Sequence, residues 1–487
     1  MSNELGDQKV FYFIVLVSVL MAILYGFFAV TANPIIIGLA AALIVGLVLL
    51  VKPSLIVWLI LLLSLLVTGL LPLCFDFLAT KAAWGVSLLG FLLMFIALSR
   101  VALSQNAQKF TPAFIWIALA FMIYTLINSL IQWNSFSDVV GGFKRYFQVW
   151  GLIFALCWLV FDEHNMSHLQ VFIVIIALIQ LPFALYERIV YVPIREAQQY
   201  LYPGMIPLDV VGGTFGASLT GGGASGEMAT FLIMMLAFLL ARRMEGLVTT
   251  NRLILLVLII TAPLFVGETK VVVIMLPLMF LVLYRREMIK RLHYWLMGMI
   301  VVVSFTMAAG YTYLSQSDKA IEEVIDTTFN YNLYEHGHGG YHLNRTKVLT
   351  FWVDQQGFHD PISFVFGNGL GSSHGGGGYI AKHYPNHGIG LTAASTLLWD
   401  TGVFGFCLFI AIFVLAWRCA DQLWRESAEP TIRADAAAIQ AALALFVFYI
   451  FYRIGVLEIL SFQVIFALLL GYLGWLHRRH VLMKSNK

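Results

Sequence analysis

The chain has 487 residues, 60% hydrophobic and 11% charged, with a formal net charge of +3. Soluble domains carry about 25% charged residues, so the composition excludes a soluble globular protein. So balanced a charge leaves no electrostatic footprint for nucleic acid, and no nucleic-acid partner is expected.

Apolar runs of about 20 residues, each able to cross ~30 Å of hydrocarbon as a helix, recur along the chain. Spans are expected near 11–31, 34–51, 54–72, 83–99, 112–132, 146–161, 168–188, 227–241, 252–267, 270–284, 293–314, 392–417, 434–454 and 456–477. The prediction is an all-α polytopic membrane protein of about 12–14 transmembrane helices. It reads as a single domain, since no repeat or linker divides it. The closest divisions are Asn33-Pro34 and the turn Gly267-Glu268-Thr269-Lys270. The first run has a weak basic flank and no small-residue cleavage pattern, so it reads as a retained span. With both termini cytoplasmic, the short inner loops hold most Lys and Arg, including Arg285, Arg286, Lys290 and Arg291, as the positive-inside rule requires. Cys74, Cys157, Cys407 and Cys419 show no motif spacing, and no structural disulfide is expected.

Two outer segments are long. The first, 189–226, contains Val211-Gly-Gly-Thr-Phe-Gly216 and Thr220-Gly-Gly-Gly-Ala-Ser-Gly226. Its glycines allow close approach of backbone to a ligand, or only sharp turns in a re-entrant connection. Arg188 and Arg195 flank it as ligands or interface anchors, and Lys144-Arg145 opens another span with the same two readings. Lys270 closes its tight turn at the outer boundary. There it can snorkel to headgroups, pair with Glu268, or reach a ligand phosphate.

The second segment, 315–391, is the one large polar loop, expected on the periplasmic side and containing short helices. Ser317 can cap a helix whose apolar face is Ile321, Val324, Ile325 and Phe329. Asn344 can cap a helix over 345–356 that ends at Gly357. Arg345, Val348, Leu349 and Trp352 share one face of that helix. Arg345 and Lys347 lie at its amino end, where the helix dipole disfavours cations by roughly 0.3–1 kcal/mol. A bound anion would reverse that sign. Two solvated cations on a surface helix are the alternative.

The loop also gathers His336, His338, His342, His359, His374, His383 and His387. His336, His338 and His342 could supply three nitrogen ligands, but the spacing is no zinc pattern and no metal is expected. A general base is the sharper reading, since imidazole titrates near neutral pH. His387, just before a span, is the first choice and His342 the second. Phe366-Gly-Asn-Gly-Leu-Gly371 lacks the strand and spacing of a dinucleotide fingerprint.

The order Arg345-Thr-Lys-Val-Leu349, Trp352, Phe366-Gly-Asn-Gly-Leu-Gly371, a His-containing stretch and Thr401-Gly-Val-Phe-Gly405 resembles the bacterial O-antigen ligase and O-antigen/exopolysaccharide polymerase superfamily (WaaL-type and Wzy-type). Gly213-Thr-Phe-Gly216 and the Thr269-Lys270 pair opening a span are similar as well. The chain departs from the pattern twice. Family members place His about eleven residues before the Gly-x-x-Gly motif; here His387 is fifteen before Gly402, and Leu391 fills the expected place. Thr269-Lys270 stands where Ser-Arg is frequent, keeping charge but losing the bidentate fork.

The resemblance implies a GT-C-like fold in a bacterial inner membrane and a metal-independent, inverting glycosyl transfer without cofactors. The donor would be an undecaprenyl-pyrophosphate-linked glycan and the acceptor a sugar hydroxyl, with membrane lipids and a chain-length regulator as further partners. Arg345, Lys270 and Lys347, assisted by Arg195 or Arg188, would hold the pyrophosphate, and His387 or His342 would take the acceptor proton. Polymerase is the expected activity, ligase-type transfer the close alternative. A lipid-linked oligosaccharide flippase or an inactive glycan-binding subunit are the rivals of another class.

Overall fold

The computed structural model describes residues 49–50, 52–74, 76–201, 206–219, 222–290, 342–375 and 377–485, with isolated positions between 296 and 307. The chain divides into two units, residues 1–58 and 59–487. All regular structure among the described residues is helical: α1 (Pro53–Leu73), α2 (Asp76–Leu103), α3 (Ala113–Gln132), α4 (Phe136–Phe147), α5 (Gly151–Trp158), α6 (Glu163–Gln198), α7 (Ser225–Met244), α8 (Thr250–Val266), α9 (Val272–Lys290), α10 (Lys347–Gln356), α11 (Pro361–Phe366), α12 (Tyr379–His383), α13 (Ala393–Glu426), α14 (Pro430–Tyr452), α15 (Gly455–Glu458) and α16 (Leu460–Ser485), besides shorter turns.

Eight of these are long and apolar enough to cross a membrane: α1, α2 from Ala82, α3, α6, α7, α13, α14 and α16. Each falls on an expected span. The α8 helix is apolar but shorter, and α9 carries Arg285, Arg286, Glu287 and Lys290 in its last six positions. The spans expected at 11–31, 34–51 and 293–314 lie wholly or almost wholly outside the described residues. Helix α16 is the most buried of the eight and packs on α5, while α13 packs on α14 and α3, and α7 on α14.

Two expectations are corrected. The run 146–161 is no continuous span, because the chain turns at Gln148–Trp150 and leaves α5 as a buried eight-residue helix. The turn sits where a Cβ on Gly90 would stand 1.8 Å from the Gln148 carbonyl oxygen, so only a glycine lets α2 approach. The Gln148 side chain is tied to Ser87 and Gln463. The outer segment expected from 189 is helical to Gln198, because α6 continues through a π-turn at Glu187–Tyr191. Arg188 and Arg195 therefore stand on a helix.

The glycine-rich chain that follows is clamped. Gly213 N–H donates to Glu187 (2.7 Å), Thr214 N–H to Gln180 (2.9 Å), and Ser461 to the Phe215 carbonyl (2.9 Å). Residues 211–215 are buried. Non-helical backbone with all partners inside the protein can be enclosed among spans.

Candidate functional site

The site is built on a break in α13. Thr392 starts this helix with a reciprocal cap on Ser395, an arrangement that satisfies two orphan donors. Ten residues on, Gly402 adopts φ +65° and ψ −174°, which exposes backbone groups in mid-helix. The chain at Gly367 docks there. A Cβ on Gly367 would lie 2.5 Å from the Asp400 oxygen and the Thr401 and Gly402 nitrogens; one on Gly402 would lie 2.4 Å from the Val365 oxygen. Two glycines are needed to bring the backbones so close. Gly405 plays a separate part, since a Cβ there would meet Thr401 at 2.4 Å and the Tyr124 ring at 2.8 Å. The Tyr124 hydroxyl reaches the carbonyls of Phe366 and Thr401, each at 2.8 Å.

Asp400 completes the docking. Its buried carboxylate accepts from Gly371 N–H (3.0 Å), Ser373 N–H (2.9 Å), Ser372 Oγ (2.9 Å) and the Tyr146 hydroxyl (3.1 Å). A buried charge needs such donors, and these four fix residues 371–373. His374 follows directly. Above the docked turn, Leu343, Val348, Trp352, Ile389 and Trp399 form a small core that holds α10 on α13. Asn344 Oδ1 accepts from Lys347 N–H at 2.7 Å, so it caps α10 as expected, with the regular helix starting at Lys347.

Between these elements lies a cavity of about 1070 Å³, at the upper end of ligand-pocket volumes. Arg145, Arg345, Arg453 and Lys382 contribute its cations; His374, Glu458, Tyr146 and Asp400 also line it, as do Gly371 and several residues from Tyr384 to Leu391. Arg145 faces it because Gly142, one turn earlier on α4, meets Gly371 without a side chain; a Cβ there would be 2.6 Å from Gly371 N. Arg453 ends α14 and is held by the buried Glu227 carboxylate (3.2 Å) and the Gly223 carbonyl (3.0 Å). The Arg345 guanidinium lies over the Tyr452 ring at 4.2 Å. His374 Nδ1 is 3.2 Å from Glu458 Oε1.

The charge at this end is uneven. Burial raises the pKa of Asp209, opposed by the fields of Arg453, Arg195, Arg345 and Lys270. Four cations therefore act on one carboxylate. Burial lowers the pKa of Arg145, with Glu458 and Asp400 opposing. The Glu227 carboxylate holds Arg453 above its ordinary value against burial. An excess of partly desolvated guanidinium groups around a hollow favours an anion.

Of the residues singled out in the sequence, Arg345 lines the cavity. Lys270, exposed in its turn, and Arg195, buried and donating to the Ser218 carbonyl at 3.2 Å, share Asp209 with it but do not line it. Arg188 pairs with Glu268 at 3.1 Å, the partner considered for Lys270. Lys347 is exposed at the first position of α10.

His342 and His387 come together, ring centroids 5.2 Å apart, in an aromatic cluster with Phe351 and Tyr384. The His387 Nδ1–H donates to the Pro385 carbonyl at 2.9 Å. Its neighbours Asn386 and Gly388 line the cavity, and the His387 ring stacks on Phe351 with centroids 5.4 Å apart. His336 and His338 lie outside the described residues. Among the described residues no three His, Cys, Asp or Glu side chains converge as a metal site.

Arg145, read from sequence as a ligand or an interface anchor, lines the cavity, whereas Arg453, Glu458 and His374 are not singled out as site residues by the sequence. Arg453 and Glu458 carried a signal, two charges in a short break between apolar runs, that reads equally well as span ends. For His374 the signal was its place between a glycine turn and four further glycines. No family model and no curated protein matches the chain.

Proposed function

We propose that the cavity transfers a glycan from a lipid-linked diphosphate to a sugar hydroxyl with inversion, as a polysaccharide polymerase of the kind the sequence resembles. The observation that carries this reading is one hollow of about 1070 Å³ holding three arginines beside an imidazole–carboxylate pair. In such a reaction the acceptor oxygen attacks the anomeric carbon from the face opposite the diphosphate. The bond from that carbon to the diphosphate oxygen breaks, and the electron pair leaves with the lipid diphosphate. Negative charge grows on the leaving oxygen, where preorganised cations stabilise it most. Arg345, Arg453 and Arg145 are placed to do this, with Lys270 and Arg195 adding field from the Asp209 side.

The acceptor must lose a proton. His374 suits that role, since it lines the cavity and its Nδ1 stands 3.2 Å from the Glu458 carboxylate, a neighbour that favours an imidazole as base. Leu391, standing where the resembled family has its histidine, lines the same cavity. An imidazole thus reaches that hollow from another part of the loop. His387 and His342, the first choices from sequence, would act by shaping the wall. The test is purified protein in nanodiscs given lipid-diphosphate repeat units, with products sized on a gel. A ladder of lengthened glycans supports polymerisation; transfer of a single unit to a lipid acceptor supports the ligase alternative. Unchanged donor, with repeats crossing the bilayer, overturns both.

A further inference from the structure

Helices α9 and α13 run away from the cavity and α14 runs towards it, so their far ends meet at the opposite face. There Arg285 and Arg286 on α9 and Arg425 on α13 share one acid, Asp421. The Arg285 and Arg425 contacts measure 3.5 and 2.6 Å. Gln440 on α14 accepts from Arg285 at 2.7 Å. Several other cations on this face have carboxylates of their own, Arg242 with Asp435, Arg433 with Glu245, and Arg479 with Glu163 and Glu429, while Arg478 donates to the carbonyls of residues 157–159. Glu426, five residues after Asp421, is taken by Lys484. Three guanidinium groups on one carboxylate leave two positive charges over.

The cluster is also aromatic. The Arg286 guanidinium lies 3.4 Å from the Trp424 ring centroid and that of Arg285 lies 5.0 Å from Trp417. Stacking covers the faces of the guanidinium and leaves its edge donors to bind an anion. Tryptophan with arginine at the end of a membrane span marks the headgroup level, where the anion at hand is a lipid phosphate.

We propose that Arg285, Arg286 and Arg425, on Trp417 and Trp424, form a binding site for the phosphate of an anionic phospholipid in the leaflet facing away from the cavity. The site is independent of the transfer reaction proposed above. Arg425 is the accessible member, its side chain 68% exposed, so its removal reports on binding without disturbing packing.

The experiment is native mass spectrometry of the full-length protein extracted from nanodiscs of phosphatidylglycerol or phosphatidylcholine. Wild type should keep phosphatidylglycerol in preference. Each arginine removed, as Arg425→Gln or Arg286→Gln, should weaken retention roughly fivefold, from about 1 kcal/mol per basic residue near an anionic surface. Melting in phosphatidylcholine separates lost binding from lost folding; if Arg286→Gln melts early, Arg425→Gln carries the test. Equal retention of both lipids, or full retention by the variants, overturns the proposal. So does displacement of the lipid by inorganic phosphate, which would make this a site for small anions.

Discussion

The two ends of α9, α13 and α14 both concentrate arginines, yet they are built differently. At the cavity end, Asp209 shares the fields of Arg453, Arg195, Arg345 and Lys270, which come from four distant segments. At the far end, Asp421 is shared by residues on two helices, with Arg285 over Trp417 and Arg286 over Trp424. Excess positive charge alone argues only for an anion. The cavity end adds a hollow, a glycine-formed wall and an imidazole beside a carboxylate, and those additions make it the candidate for chemistry.

The hardest test of that distinction is Arg453→Ala. It strands Glu227, whose side chain is fully buried, and breaking one partner out of a buried pair costs about 3–5 kcal/mol. The variant should melt early and transfer nothing; a stable, active Arg453→Ala enzyme would remove the cavity end from the argument. Next in size is His374→Ala. Loss of a general base costs about 10²–10⁴ in rate, and the fall should appear in kcat, with the low-pH limb of the pH–rate profile abolished. Glu458→Gln should lower kcat less and displace that limb. If His387→Ala rather than His374→Ala loses the limb, the base is the histidine first chosen. Arg345→Ala should follow at about 10²–10³ in rate, with protein abundance unchanged on immunoblots.

The sequence made the spans legible because a 20-residue apolar run has few other uses. It failed at 146–161, where hydropathy is silent about a carbonyl seated on Gly90. The cap at Asn344 and the helix to Gly357 were readable, being local. The glycines of Gly367–Gly371 and Gly402–Gly405 were readable as a pattern only. For Gly367 and Gly402 the reason is a backbone contact between segments about thirty residues apart, backed by Asp400 and its four donors. That same contact carries His374 to the cavity, while His387 stacks on Phe351 beside it. Nearness to a span in sequence pointed to His387, whereas His374 reaches the lining through a contact that no local pattern announces.

The smallest effect belongs to Lys270, and it separates the cavity's rim from its lining. Lys270 is exposed and contributes field to Asp209 without lining the hollow. A charge acting from the rim through water is worth about 0.2–1 kcal/mol, and salt screens it over about 8–10 Å. Lys270→Gln should therefore raise the donor KM by roughly two- to fivefold, leave kcat unchanged, and lose its effect as salt is raised. Arg345→Ala should lower kcat at every salt concentration, because a group against the leaving oxygen is shielded from screening. A salt-independent fall in kcat for Lys270→Gln would place that lysine inside the reaction, and the cavity would have to be redrawn to include the α8–α9 turn.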